Sequence, residues 1–436
     1  MTDARLVIRP DLPICQTDLP LDWYQDAFKP YAEEYLALPD RLPETVLPWM
    51  DRYLRPALAH FGPDLMLLAH YYMGGEIVKL VERYGGRIAD SYELALQTRR
   101  APHTRLFVES AVHFMAESIA ILASPSQEVF ITNPKSGCTM EMMAKEHHLA
   151  PVVSDLVARY GDALVIVAYM NTSGRVKAMA GRSGGAVCTS SNATKVVGWA
   201  RALGKKVFFV PDRHLGENTA ARLGIPSDRQ VVWPGPHTLS GSRWDRLSAA
   251  EREACDRAEI ILWGSFCGVH TIFTPSHVTY WKERGFRVLV HPECPKPVVD
   301  AADGAGSTRY LWDAMLAAAP GDRLAIATEG HFVRNAREQG ALRGVEVVHV
   351  ADIPDPSYAS IGCGCATMSR NDPPHLVALV DLLRHGKAPD LNRVLAGDLV
   401  DEHTARRERL TEAERLALIG DARRALERMI EITEVG

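Results

Sequence analysis

The chain has no uncharged run of about 18 apolar residues, the length a helix needs to cross a bilayer. Its opening, MTDARLVIRPDLPICQTDLP, carries acidic residues and prolines where a secretory signal would carry an apolar core. Basic residues are not in excess: 49 Lys and Arg stand against 54 Asp and Glu, a net charge of −5, which leaves no stripe for nucleic acid. No P-loop and no G-x-G-x-x-G occurs, which argues against nucleotide binding. The eight cysteines are irregularly spaced, and Cys138, Cys267 and Cys365 stand far apart, unlike the close pairs or runs of a zinc site or a two-cluster ferredoxin. Without a secretion signal they imply a reducing, cytoplasmic compartment, where thiols serve as ligands, reactive groups or core filler.

The sequence is rich in short runs of Val, Ile, Leu and Phe. DLMLLAHYY, TRLFVES and QEVFITN come first; ALVIVAYMN, GGAVCTSS, KKVFFVPD and AEIILWGSF follow; FRVLVHPE, DRLAIATE and VEVVHV come last. Each is apolar on both faces, as a parallel strand covered on both sides must be. Amphipathic stretches such as KVVGWARALG lie between them, so the rhythm is α/β. The grouping predicts three similar αβα sandwich units, 1–150, 151–284 and 285–436, with short parallel sheets around a pseudo-threefold axis. The segment 234–256 reads as a loop and a surface helix, and the tail from about Thr411 as a long amphipathic helix with a structural role.

Polar residues gather where the apolar runs stop: His70 and Tyr72, Tyr169 and Asn171, Asp212, Cys267, His291 and Glu293, and Glu329. Ligands of parallel sheets bind outside the carboxyl ends of strands, so three units around an axis would face one cleft. Cys138, Cys267 and Cys365 supply one thiol per unit. That suits a [4Fe–4S] cluster with one open iron, a Lewis acid; buried structural thiols are the plainer alternative. His291 and Glu293 stand two apart, as do His70 and Tyr72. Such pairs suit proton transfer, which calls for a histidine titrating near neutrality and a carboxylate; a helix cap or ion pair is the plainer reading. Ser91, Ser190 and Thr308 lie in small-residue turns that offer a hydroxyl and backbone N–H groups to an anion, or act as ordinary N-caps.

At these strand ends the chain resembles quinolinate synthases, in the longer variety of that family. The matching stretches are AHYYMGGEI, ADSYELA, VHFMAES, GCTM, YMNTSGRVKA, CTSSNATKV, PDRHLGENTA, W-x-x-x-C-x-V-H, HPECPKPVVDAADGAGST, ATE and C-x-x-M, in the family's order. The resemblance implies a [4Fe–4S] cluster on Cys138, Cys267 and Cys365, the last chosen over Cys363 because it precedes x-x-Met368. It implies condensation of iminoaspartate with dihydroxyacetone phosphate to quinolinate, with loss of phosphate and two waters, and a functional link to L-aspartate oxidase. It assigns catalysis to His70, Tyr72, His291 and Glu293, and substrate binding to Ser91, Tyr169, Asn171, Ser190 and Thr308. No role falls to nucleic acid or membrane. Two departures stand out: Ser110-Ala111 replaces the common Cys-Gly, and four extra residues separate Glu76 from Ser91. The competing functions are a family relative acting on another amino acid and triose, and a cluster-based redox or iron sensor. A sensor would need a DNA-binding or partner module, and no helix-turn-helix or basic helix occurs.

Overall fold

Each of the ten hydrophobic runs forms a parallel strand. The computed structural model describes residues 18–234, 243–354, 364–401 and 406–435. The first sheet holds β1 (Leu65–His70), β2 (Arg87–Ala89), β3 (Leu106–Ser110) and β4 (Glu128–Ile131). The second holds β5 (Leu164–Tyr169), β6 (Ala186–Cys188), β7 (Lys206–Val210), β8 (Gln230–Val232) and β9 (Ile260–Leu262). The third holds β10 (Arg287–Val290), β11 (Gly304–Ala305), β12 (Arg323–Ala327) and β13 (Glu346–His349). Their orders are β2-β1-β3-β4, β6-β5-β7-β9-β8 and β11-β10-β12-β13. One plan is used three times, with β8 added at an edge. The strands missing from the sequence reading, β2, β8 and β11, have only two or three residues, too few to display a period.

Helices cover the sheets on both sides, which is why β5 is buried along its whole length. In the third sheet Val288, Val290, Ala325 and Ala327 pack into a core with Phe273 and Trp281. Leu289, Leu324, Ile326 and Val347 pack into another with Phe332 and Met315. The alternation is the two-residue period of a strand. A larger core joins faces of the first and second sheets. Asp90, Asp212, Ser248, Ser307, Glu329 and Asp372 cap helix N-termini through their side chains. Each cap contributes about 1 kcal/mol.

Two helices late in the chain return to earlier sheets. Pro373–Arg384 packs against Pro43–Phe61 beside the first sheet, and Tyr24 donates its hydroxyl to Asp372 at the start of that helix. Glu412–Val435, the amphipathic tail, lies along β6 and Gly174–Arg182. Gly181 permits the contact, because a Cβ there would stand 1.9 Å from the Asp421 carbonyl oxygen. The surface helix after residue 234 is Ala249–Arg257, closed by a Ser248–Glu251 capping box. Among the described residues no helix is long and apolar enough to cross a membrane.

Glu109 sits in the middle of the first sheet, wholly buried, and neither carboxyl oxygen has a hydrogen-bond partner among the described residues. Burial pushes its carboxyl well above the usual carboxylate range. An acid held neutral by folding leaves the protein most stable below its unfolded value, about pH 4, and erodes stability as pH rises toward its folded value. Replacing Glu109 by Leu should therefore stabilise the protein, by roughly 1–3 kcal/mol near pH 8, and by less at pH 5. Thermal melts of both proteins at the two pH values check this; a gap that does not widen with pH would contradict it.

Candidate active site

The repeated sheet order puts equivalent positions of three sheets into one cleft. His70 ends the first strand of the first sheet and Tyr72 follows it, Tyr169 ends and Asn171 follows that of the second, and His291 and Glu293 follow that of the third. Ser91, Ser190 and Thr308 follow the second strands β2, β6 and β11. Cys138, Cys267 and Cys365 follow β4, β9 and β13, which hold the fourth place in the lateral order of each sheet. All twelve of these sequence-derived candidates line the same cavity.

Glu293 is the most connected group. Tyr169 Oη donates to its Oε1 at 2.6 Å, and His270 Nδ1 lies 2.7 Å from Oε2, a short contact off the line of a hydrogen bond. His291 Nδ1 lies 3.6 Å from the same oxygen, and the His270 and His291 rings stack with centroids 4.5 Å apart. Burial pushes Glu293 up, but the neighbouring His291 and His270 and the bond from Tyr169 outweigh it and hold the carboxyl below its usual range. Burial pushes His70 and His291 down to about 3, although Glu293 pulls both the other way. This corrects the expectation of a histidine titrating near neutrality: both rings are enclosed, 3% and 2% exposed, and an uncompensated imidazolium is costly there. Enclosure favours the neutral ring at both positions. Tyr72 is half-buried, and desolvation of its phenol raises it well above the ordinary value. Its Oη lies 2.8 Å from Thr328 Oγ1, which in turn lies 3.1 Å from His270 Nε2.

The three hydroxyl residues are not the N-caps. Asp90 and Ser307 do that work, accepting from the Glu93 N–H at 3.0 Å and the Tyr310 N–H at 3.3 Å. Ser91 and Thr308 are therefore the first helical residues, one place further in. The turn around Ser190 is closed by the Thr189 N–H donating to Asn192 Oδ1 at 2.7 Å. Asn171 sits in a turn fixed from behind: buried Lys177 donates to the Thr172 carbonyl, and Glu117 accepts the Gly174 N–H at 2.6 Å.

The cysteines are free thiols, partly buried. Burial pushes all three up; Cys365 further raises Cys138, and Cys365 and Cys138 both raise Cys267. All three thiols line one cavity, and a soft cation there is what would favour their thiolates. Cys363 lies outside the described residues, as does Cys15. Cys188, Cys255 and Cys294 are core residues. Cys267, His270 and Glu293 also place one ligand atom each within 4.8 Å of one another.

Sequence reasoning missed His270 and Thr328. Both lie in stretches quoted for the resemblance, V-H after Cys267 and ATE, but neither had a partner until the fold closed. His270 is three residues beyond a cysteine and Thr328 beside a capping acid; that spacing was the only available signal.

Three thiol donors and an enclosed carboxylate–imidazole–phenol group share the carboxyl edges of three parallel sheets. This defines an α/β protein with a polar, metal-competent cleft. Residues 59–396 match the family of quinolinate synthetase A protein, and the chain belongs to that family. The chain is 37% identical over 393 residues to quinolinate synthase of Streptomyces coelicolor, covering 89% of this chain and 93% of that one. It is 35% identical over 338 residues to quinolinate synthase of Geobacillus kaustophilus, covering 76% and 85%. To quinolinate synthase of Corynebacterium glutamicum it is 33% identical over 410 residues, covering 93% of each.

Because burial lowers both imidazoles, the His70 and His291 rings should stay neutral from pH 8 down to pH 5. Nitrogen-15 NMR of labelled histidine reads this directly. A midpoint above pH 5 for either ring would mean that water reaches it.

Proposed function

We propose that this protein is a quinolinate synthase of the cytoplasm, joining iminoaspartate to dihydroxyacetone phosphate. The products are quinolinate, phosphate and two waters. The observation that carries this reading is the convergence of Cys138, Cys267 and Cys365 on the cleft that also holds Glu293. The names of the similar proteins point the same way.

The donor set fits a [4Fe–4S] cluster: three thiols on one cavity, with no competing disulfide among the described residues. Held by Cys138, Cys267 and Cys365, such a cluster would supply an open iron as Lewis acid for the departing hydroxyls. The protein's own groups do the rest. Glu293, ionised, accepts a proton on a carboxylate oxygen as the imine passes to its enamine, with Tyr169 Oη holding Oε1 in place. Tyr72, kept neutral, donates from Oη to the triose carbonyl. Neutral His70 and His291 orient substrate oxygens without adding charge. The hydroxyls of Ser91, Ser190 and Thr308 and the amide of Asn171 suit the phosphate and the two carboxylates. The enclosed walls exclude water from a reactive imine. An enzyme that oxidises L-aspartate would supply that imine.

A second reading has one observation in its favour: Cys267, His270 and Glu293 could hold a single divalent ion. Iron and acid-labile sulfide in anaerobically purified protein separate the two, since a single ion brings no sulfide. The cluster reading expects both to fall together in Cys138→Ser, Cys267→Ser and Cys365→Ser, and to persist in Cys188→Ser. Glu293→Gln should keep the iron and lose about 10²–10⁴-fold in quinolinate formation. Full turnover by that variant would remove Glu293 from the chemistry. A wild-type protein that holds iron and sulfide but makes no quinolinate would point to a different amino acid and triose, or to a sensor.

A further inference from the structure

The turns that carry the three cysteines are tied down by buried polar groups that the proposed reaction does not use. Asp212, wholly buried, follows β7. Its Oδ1 accepts the Leu215 N–H at 2.6 Å, capping the helix Arg213–Arg222, and its Oδ2 accepts the Cys267 N–H at 3.0 Å. Glu329, also wholly buried, follows β12 in the third sheet and repeats the arrangement. Its Oε2 accepts the Phe332 N–H at 3.1 Å and its Oε1 the Cys365 N–H at 3.2 Å. In both sheets one carboxyl group therefore clamps the helix after the third strand to the cysteine turn after β9 or β13.

The first sheet has no such acid. Its third-strand helix begins after Val112, which has no capping side chain. There the cysteine turn is tied to the turn of another cysteine. Asn371 Oδ1 accepts from Thr132 Oγ1 at 2.7 Å, and its Nδ2 lies 2.9 Å from the Ala111 carbonyl, 2.7 Å from Ser136 Oγ and 3.2 Å from the Met368 carbonyl. Ser136 donates to the Thr367 carbonyl, and Asn133 Nδ2 donates to the Arg370 carbonyl at 2.7 Å. The stretch 132–138 and the stretch 365–371 are thus one hydrogen-bonded body, and Asn371 is its centre.

We propose that Asp212, Glu329 and Asn371 are positioning residues for the metal-binding thiols. Asp212 fixes the turn of Cys267, Glu329 that of Cys365, and Asn371 joins the turns of Cys138 and Cys365. The proposal rests on the cluster reading for its purpose, but its geometry belongs to the protein alone. Buried groups that orient ligands from behind commonly matter 10–100-fold to metal binding. A frame made of hydrogen bonds to the carboxyl groups of Asp212 and Glu329 and through the amide of Asn371 sets the thiols before any metal arrives.

The test uses the metal-free full chain, so that it does not depend on the cluster. Cysteine alkylation is followed peptide by peptide by mass spectrometry in Asp212→Asn, Glu329→Gln and Asn371→Ala. Ser248→Ala, which removes a remote helix cap, serves as the stability control. Asp212→Asn should speed alkylation of Cys267 and leave Cys138 near the wild-type rate. Glu329→Gln should speed Cys365, and Asn371→Ala should speed Cys138 and Cys365 but spare Cys267. Buried Cys188 reports global opening: a variant in which Cys188 accelerates as much as the active-site thiols has only lost stability, and that result for all three variants overturns the proposal. Unchanged thiol rates overturn it as well. In loaded protein the same variants should lose iron to a chelator roughly 10–100-fold faster, with an altered spectrum of the reduced cluster. A wild-type protein that takes up no iron and sulfide defeats the cluster reading, while the alkylation pattern still decides the frame.

Discussion

All strands of a parallel sheet leave it at the same edge. Whatever residues follow the strands are gathered there, however distant in sequence. This protein applies that constraint three times, with one strand order in three sheets, and turns the three edges toward a single cavity. The first strands deliver the imidazole, phenol and carboxylate groups, the second strands the hydroxyls and β4, β9 and β13 the thiols. A site assembled this way depends on strand register: a one-residue slip in β10 would exchange the faces of Val288 and Leu289 and carry His291 and Glu293 out of place.

Enclosure then decides what each group can do. Glu109 and Glu293 are both buried glutamates, yet burial raises the first while the second is held low. The difference is their company. Glu109 has no donor among the described residues, and the neutral acid is the cheaper form. Glu293 has a phenol hydroxyl on one oxygen and an imidazole against the other. The histidines pay the opposite way, since enclosure without a full counter-charge leaves them neutral. Among these groups, Glu293 is the one whose charged form its neighbours favour.

Support for the cleft comes from outside the residues that line it. Lys177 and Glu117 fix the turn of Asn171 from below. Asp372 caps the helix that follows the Asn371 network and takes the Tyr24 hydroxyl from near the start of the chain. The tail helix closes over the second sheet, and Gly181 allows its backbone to come that near. These contacts hold the sheet edges in register with one another, so the cavity is a property of the whole chain.

The sequence by itself determined the strands, because a strand covered on both faces must be apolar throughout, and ten such runs stand out. It also marked the residues that terminate them, since a polar group at the end of an apolar run has few structural reasons to be there. The motifs around Cys138, Cys267 and Cys365 distinguished those thiols from the core cysteines. The strands β2, β8 and β11 stayed hidden because nothing so short has a period; β6 and β9, also three residues long, were marked only by the runs around them. Only the tertiary structure decided the partners of His270 and Thr328, the neutral state of His70 and His291, and the Asn371 bridge. Hydrogen bonds across more than two hundred residues, such as Thr132 to Asn371, leave no local pattern in a chain. Whether a buried group is charged depends on which neighbours folding brings within reach, and no single segment of sequence contains them.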